Sequence, residues 1–432
     1  MTMHTGDNFM LLIQNSYLID PASGTEGRRD ILIDNGRFVK IEKHLMAPAG
    51  ASVLDASGMI VCPGLIDTHS HFRDPGFTYK EDLSTGAQSA VRGGYTSVVL
   101  MANTKPPVDC PEILNDILER GRELPVHLYS CANVTKGMAG RELNDLRALA
   151  ACGAAGFTDD GLPIMDASLL AEALGIAKDL ELPVSLHEED KSYISENGIN
   201  GGGKAAQALG LKGSPREAEY TLIARDVEIA ASLDAPLCIQ HISTEEGVEY
   251  VRRARAQHPS IHAEATPHHF SLTEDAILTR GTLAKVNPPL RTERDRRAII
   301  RGLQDGTIDI IATDHAPHSA EEKARPFVEA PSGMIGLETA LSLAIHHLVN
   351  PGHLTMMHML ACLTCNPADF YHLDAGRIEP GAPADLTIFD PDEEWIVPSE
   401  FASRSANSPF IGKKLPGVVH YTIVNGEVVY RG

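Results

Sequence analysis

The chain has 432 residues, 43% of them hydrophobic and only 5% aromatic, so it can bury a large and mostly aliphatic core. Its 58 acidic and 37 basic side chains leave a formal charge of −21, which argues against nonspecific binding to nucleic acid or an anionic membrane. No apolar run is long enough to suggest a transmembrane helix, and Met1 to Asn8 lacks the basic and apolar regions of a secretory signal.

From Met10 to Val61 the texture is strand-like. Leu11-Leu12-Ile13 precedes a stretch from Ile31 to Ile41 that is broken by Asn35-Gly36, a two-residue hairpin signal. Short apolar runs then alternate with longer helix-like stretches. The runs begin at Ile60, Thr96, Val126, Ala154, Pro183, Pro236, Ser260 and Ile308. Strands alternating with helices predict parallel βα units, and eight of them predict an α/β fold with a (β/α)8 TIM-like barrel. Beyond the barrel, Asp385 to Phe389 reads as a strand, and Tyr421 to Tyr430 as a second hairpin around Asn425-Gly426. Both ends therefore predict one small β-sandwich domain, residues 1–61 with 376–432, beside a barrel at 62–375.

The seven cysteines are odd in number and scattered, which fits a reducing, cytoplasmic compartment and buried structural thiols. Cys362 and Cys365 are spaced C-x-x-C, but no strand precedes them.

The chemistry lies where the runs end. The first leads into Asp67-Thr68-His69-Ser70-His71-Phe72-Arg73, the fourth into Thr158-Asp159-Asp160-Gly161, and the fifth into His187-Glu188-Glu189-Asp190. The sixth ends at His241 and the eighth at Asp314-His315-Ala316-Pro317-His318. In a barrel these C-terminal strand ends share one face. His69 and His71, two apart on a strand, point the same way. Imidazole and carboxylate ligands suit zinc, with manganese, iron or cobalt also compatible. Four histidines and a bridging carboxylate can hold two ions, and Asp314 beside them can move a proton. The plainer role for Asp314 is a helix N-cap. Glu188-Glu189-Asp190 reads as the opening of the next helix, and His268-His269 as locally hydrogen-bonded rather than entering the site from strand seven. Residues 319–331 read as a charged surface loop or a flap over the site.

These motifs resemble the amidohydrolase superfamily, and within it the bacterial class I dihydroorotases, over nearly the whole chain. The residues that carry the resemblance are Pro63 to Arg73, Met101-Ala102-Asn103-Thr104, Gly156 to Gly161, Val286 to Arg291, and Ala312 to His318. The resemblance implies that His69, His71 and Asp314 hold one zinc, that His187 and His241 hold a second, and that Asp160, or failing that Asp159, bridges them. It implies that Arg73 and Asn103 bind a substrate α-carboxylate, assisted by Asn287 and His318. It implies reversible cyclisation of N-carbamoyl-L-aspartate to L-dihydroorotate in pyrimidine synthesis. A metal-shared hydroxide would attack the ring amide, and Asp314 would act as general acid and base. Ser332 stands where family members often carry an aromatic, before Gly333; the backbone of both could still touch the ring. A homodimer and an aspartate transcarbamoylase partner are expectations of the same resemblance.

Two other readings stay open. Hydantoinases, dihydropyrimidinases and allantoinases open cyclic amides on the same fold. They usually bridge their metals with a strand-four lysine, and residues 153–161 contain none. A noncatalytic scaffold for the transcarbamoylase would typically have lost metal-binding histidines, and every expected position is kept.

Overall fold

The computed structural model describes residues 10–432; residues 1–9, on which the non-secretory reading rests, lie outside the described residues. The N-terminal strands are β1 (Met10–Asp20), β2 (Thr25–Asp34), β3 (Arg37–Glu42), β4 (Ser52–Asp55) and β5 (Ile60–Pro63). Seven short parallel strands follow: β6 (Leu65–Ser70), β7 (Tyr95–Leu100), β8 (His127–Ser130), β9 (Val184–Leu186), β10 (Leu237–Ile239), β11 (Ile261–Ala265) and β12 (Ile310–Ile311). The chain ends with β13 (Leu386–Ile396), β14 (Lys414–Val424) and β15 (Glu427–Arg431).

Both termini join one eight-stranded mixed sheet in the order β15-β14-β13-β5-β1-β2-β3, with β4 beside β1. The two Asn-Gly steps make its tight turns. Asn35, Gly36, Asn425 and Gly426 all have positive φ, the conformation that matches the twist of flanking strands. The two turns also touch, because a Cβ on Gly36 would lie 2.9 Å from the Asn425 carbonyl oxygen. Leu11, Ile13, Ile33, Phe38, Leu386 and Ile423 share a separate apolar cluster within this region.

The parallel strands form two sheets, β6-β7-β8 and β12-β11-β10-β9. Single parallel bridges join their margins. Phe157 bridges Ala132 on one side and Val184 on the other, and Ser70 bridges His315. Every residue of β6 and β7 is buried, as strands covered on both faces must be.

Two expectations need correction here. The apolar run at Ile60, expected to open the barrel, pairs with β1 and β13 in the terminal sheet, and Leu65–Ser70 heads the parallel sheet instead. Apolar runs on either side of Pro63-Gly64 look continuous, so hydropathy alone cannot divide them. Glycine is required at 64 because a Cβ there would lie 2.1 Å from Thr96 Oγ1 on the neighbouring strand. The run at Ala154 forms no ladder, only the Phe157 bridges.

All seven cysteines are free, and burial pushes the Cys131 thiol up to about 12, far from a reactive thiolate. Among the described residues no helix is long and apolar enough to cross a membrane.

Candidate metal centre

His69 lies on β6, and His71 just beyond it. Asp160 follows the Phe157 bridge, His187 follows β9, His241 follows β10, and Asp314 follows β12. All six side chains are buried. Parallel strands deliver their C-terminal ends to one place, which is why residues so far apart in sequence meet. Asp160 is the hub. Its Oδ1 lies 3.6 Å from His69 Nε2, 3.6 Å from His187 Nδ1 and 3.8 Å from His241 Nε2, and its Oδ2 lies 3.5 Å from His71 Nε2. Asp314 Oδ1 lies 3.0 Å from His71 Nε2 and 3.6 Å from His69 Nε2. The trios His69-His71-Asp160 and Asp160-His187-His241 each bring ligand atoms within 4.8 Å of one another.

The surrounding hydrogen bonds set the tautomers. His69 Nδ1 lies 3.0 Å from the buried Glu264 carboxylate, so it carries the proton and leaves a lone pair on Nε2. His71 Nδ1 lies 2.9 Å from Asn103 Oδ1, with the same consequence. His187 Nε2 lies 3.1 Å from Glu189 Oε2, which leaves the lone pair on Nδ1. The lone pairs of His69 and His71 therefore face carboxylate oxygens across short gaps, and that of His187 lies 2.9 Å from His241 Nε2 and 3.6 Å from Asp160 Oδ1. His69 Nε2 and Asp160 Oδ1 are buried with no hydrogen-bond partner. Acceptor facing acceptor in a dry site is costly unless a cation lies between them. The donor set thus fits divalent metal, and the outer carboxylates resemble those that orient metal-bound histidines.

Charge agrees with this arrangement. Burial opposes ionisation of Asp160, yet the neighbouring histidines hold its carboxyl well below the usual range. Burial likewise opposes ionisation of Asp314, but the His71 hydrogen bond and nearby histidine charge pull it below its ordinary value. Burial also disfavours protonation of His187, but Asp160 and Glu189 outweigh it and raise the ring to about 9, so the carboxylates favour a positive charge at Nδ1, which a proton or a metal ion can supply. Arg73, His241 and Asp314 have φ of 58°, 32° and 46°, left-handed conformations uncommon outside glycine, and such strain concentrates at functional sites.

The expected substrate-side residues lie next to this cluster. Arg73 Nε donates to the Pro317 carbonyl at 3.2 Å, and Arg73 Nη2 lies 3.4 Å from His318 Nε2. His318 Nε2 is 2.8 Å from the Ser332 carbonyl oxygen. Ser332 Oγ donates to Asn287 Oδ1 at 3.2 Å, and Gly333 N donates to the Lys285 carbonyl at 2.8 Å. Asn103 is engaged with the cluster itself, its Nδ2 donating to Asp160 Oδ2 at 3.0 Å.

Of the two adjacent aspartates, Asp160 joins the histidines. Asp159 accepts from the backbone N–H groups of Val134 and Thr135 at 2.9 and 3.2 Å and orders that loop. The carboxylates after His187 do not open a helix, since the next one begins only at Lys204. Glu189 instead holds His187, as above. Glu264 went unsuspected, although a carboxylate inside the apolar strand β11 was a visible signal. His268 and His269 are buried on the short helix Pro267–Ser271, and His269 Nε2 lies 3.0 Å from the Pro288 carbonyl oxygen. Residues 319–331 are held rather than loose. Lys323 Nζ donates to the Pro331 and Gly333 carbonyls at 2.9 and 3.0 Å, and Lys285 Nζ to the Phe327 and Ala330 carbonyls at 2.6 and 2.7 Å.

Parallel strands converging on a buried histidine and aspartate cluster define a metal-dependent hydrolase site. The amidohydrolase family matches residues 60–429 of this chain. A dihydroorotase of Clostridium acetobutylicum is 53% identical over 98% of this chain and 100% of its own length. A dihydroorotase of Clostridioides difficile is 51% identical over the same shares. Among solved structures, the L-hydantoinase (dihydropyrimidinase) of Arthrobacter aurescens superposes with a TM-score of 0.88 at 25% identity, covering 98% of this chain and 96% of its own. The dihydropyrimidinase of Brevibacillus agri gives 0.86 at 24% identity, covering 98% and 95%. The chain belongs to the amidohydrolase family, within the branch of its full-length dihydroorotase relatives.

Proposed function

We propose that this protein is a metal-dependent dihydroorotase, interconverting N-carbamoyl-L-aspartate and L-dihydroorotate in pyrimidine synthesis. One observation carries the reading. The buried four-histidine, two-aspartate cluster has Arg73 and His318 beside it, in a chain that dihydroorotases match end to end. His69, His71 and Asp314 would hold one zinc ion, His187 and His241 a second, with Asp160 between them. Zinc bound there would make water a nucleophile near neutral pH and polarise an amide carbonyl.

The remaining work falls to the chain. Arg73 offers a planar fork of donors suited to the substrate α-carboxylate. His318, Asn287 and the backbone at Ser332 and Gly333 border the same space, and Asn103 ties that space to the metal ligands. Asp314, kept ionised by its histidine neighbours, accepts a proton during hydrolysis and delivers it to the leaving ring nitrogen. In synthesis the same carboxylate takes that proton back.

The bridges at Phe157 and Ser70 support reading the parallel strands as one closed (β/α)8 barrel. The shared terminal sheet supports a composite β-sandwich domain at 1–61 and 376–432 beside a barrel at 62–375. Zinc in two copies, a homodimer, a cytoplasmic location and a transcarbamoylase partner complete the proposal.

The test is turnover of dihydroorotate by the zinc-loaded protein, with dihydrouracil and hydantoin alongside. The reading expects dihydroorotate alone to be opened and the Arg73→Met variant to lose it through KM. Turnover of the uncharged rings would move the activity to the hydantoinase kind.

A further inference from the structure

Lys80 has no part in the mechanism above, yet it is buried against the substrate side of the site. It follows the segment that carries Arg73. Its Nζ lies 3.2 Å from His318 Nδ1 and 2.9 Å from Glu322 Oε1. Burial lowers the Lys80 pKa and the paired Glu322 carboxylate opposes that shift; as an ammonium the side chain has donors only. The His318 nitrogen facing it must therefore accept. Its other nitrogen, Nε2, lies 2.8 Å from the Ser332 carbonyl oxygen, which can only accept, so Nε2 must carry the hydrogen. These two contacts demand the same neutral tautomer, and at 2.8 Å the carbonyl outweighs the 3.4 Å approach of Arg73 Nη2, a donor that would ask Nε2 to accept. The surroundings also disfavour the imidazolium: burial, then the charges of Arg73, Lys80 and Lys323, push His318 far below its ordinary value, while among the described residues Glu322, with Oε2 at 3.8 Å, is the one carboxylate within ion-pair distance.

We propose that Lys80 is a positioning residue that fixes His318 as its Nε2–H tautomer, so that the hydrogen now donated to the Ser332 carbonyl is a neutral donor that a substrate carboxylate beside the Arg73 guanidinium would share or take over. Nε2 lies 3.4 Å from Arg73 Nη2, a spacing that one carboxylate can bridge. Two cations at that spot would repel each other in a dry pocket, whereas a guanidinium and a neutral N–H do not. Without Lys80 only the Ser332 carbonyl holds the hydrogen on Nε2; the Arg73 donor at Nε2 and Glu322 Oε2, 3.8 Å from Nδ1, then favour a proton on Nδ1 and a lone pair toward the carboxylate. The proposal rests on the reading of Arg73 and His318 as the carboxylate subsite.

Lys80→Met, Lys80→Arg, His318→Asn and the K80M/H318N double variant would be assayed as zinc-loaded proteins on dihydroorotate. Removing the partner of a buried polar group corresponds to a rise in KM of about tenfold. K80M should show that rise with kcat within about twofold and unchanged zinc content, and K80R should recover part of it. K80M should add nothing in the H318N background. An unchanged KM in folded K80M, or additive effects in the double variant, would overturn the proposal. If wild-type protein does not open dihydroorotate, the underlying reading falls, and histidine ¹⁵N shifts still decide the tautomer. The His318 resonances, assigned by their absence in H318N, should report a bare Nδ1 in wild type and a mixture in K80M. A protonated Nδ1 in wild type would refute the role of Lys80.

Discussion

Glu264 gives the sharpest mutational test of the metal centre, because it is fully buried and holds His69 from behind. Its Oε2 lies 3.0 Å from His69 Nδ1, its Oε1 accepts from Thr68 Oγ1 at 2.8 Å, and the side chain is fully buried. It therefore fixes both the ring orientation of His69 and the nitrogen left free for metal. Losing such an outer partner typically costs about 10- to 100-fold in metal affinity or activity, or roughly 1.4 to 2.7 kcal/mol. Two variants should grade the effect. In Glu264→Gln the amide oxygen can still accept from His69, while the charge is lost and the amide NH2 must donate to Thr68 Oγ1 where a carboxylate oxygen accepted, and zinc affinity should fall about tenfold. In Glu264→Leu the Nδ1 hydrogen is left unpaired in a dry site, and the loss should approach about 100-fold. Competition with a chelator of known zinc affinity measures this directly, with dihydroorotate turnover and a melting curve alongside. A folded E264L protein that binds zinc as wild type does would refute the assignment of His69 as a ligand oriented by Glu264.

Two further outcomes follow from the same geometry. Asp314→Asn keeps the shape but cannot accept a proton, so kcat should fall by several orders of magnitude with the melting temperature little changed; a folded variant within about tenfold of wild type would remove Asp314 from the chemistry. Lys323, whose ammonium lies under the Pro331 and Gly333 carbonyls, is pushed down to about 7 by burial and the charge of Lys285. Its ordinary value is 10.5, so between these limits the unfolded chain binds more protons and stability falls as the pH drops toward 7. Lys323→Met lacks that loss, so its melting temperature relative to wild type should rise between about pH 10 and about pH 7. A difference that stays constant with pH would count against the buried charge.

The parts of this architecture that sequence exposed were those where one residue type has few alternatives. Asn35-Gly36 and Asn425-Gly426 stood out because paired positive φ suits few other dipeptides. His69, His71, His187, His241 and Asp314 stood out because polar residues recurring at the ends of apolar runs have few structural uses. Asp159 and Asp160 could not be told apart by spacing alone; what separates them is the Val134 and Thr135 backbone that captures Asp159. Glu189 was hidden because a carboxylate after a strand reads equally as a helix opener. Its role appears only when His187 is placed against it. Strand β5 and the Phe157 segment were misjudged because pairing partners, not hydropathy, decide which sheet a short apolar run joins.

The most direct measurement is dihydroorotate turnover by protein stripped of metal and then titrated with zinc, with bound metal counted at each step. The histidine and aspartate cluster predicts no turnover without metal and recovery that grows until two zinc ions are bound per chain. Full turnover by the metal-free protein, or none with the cluster filled, would contradict the account.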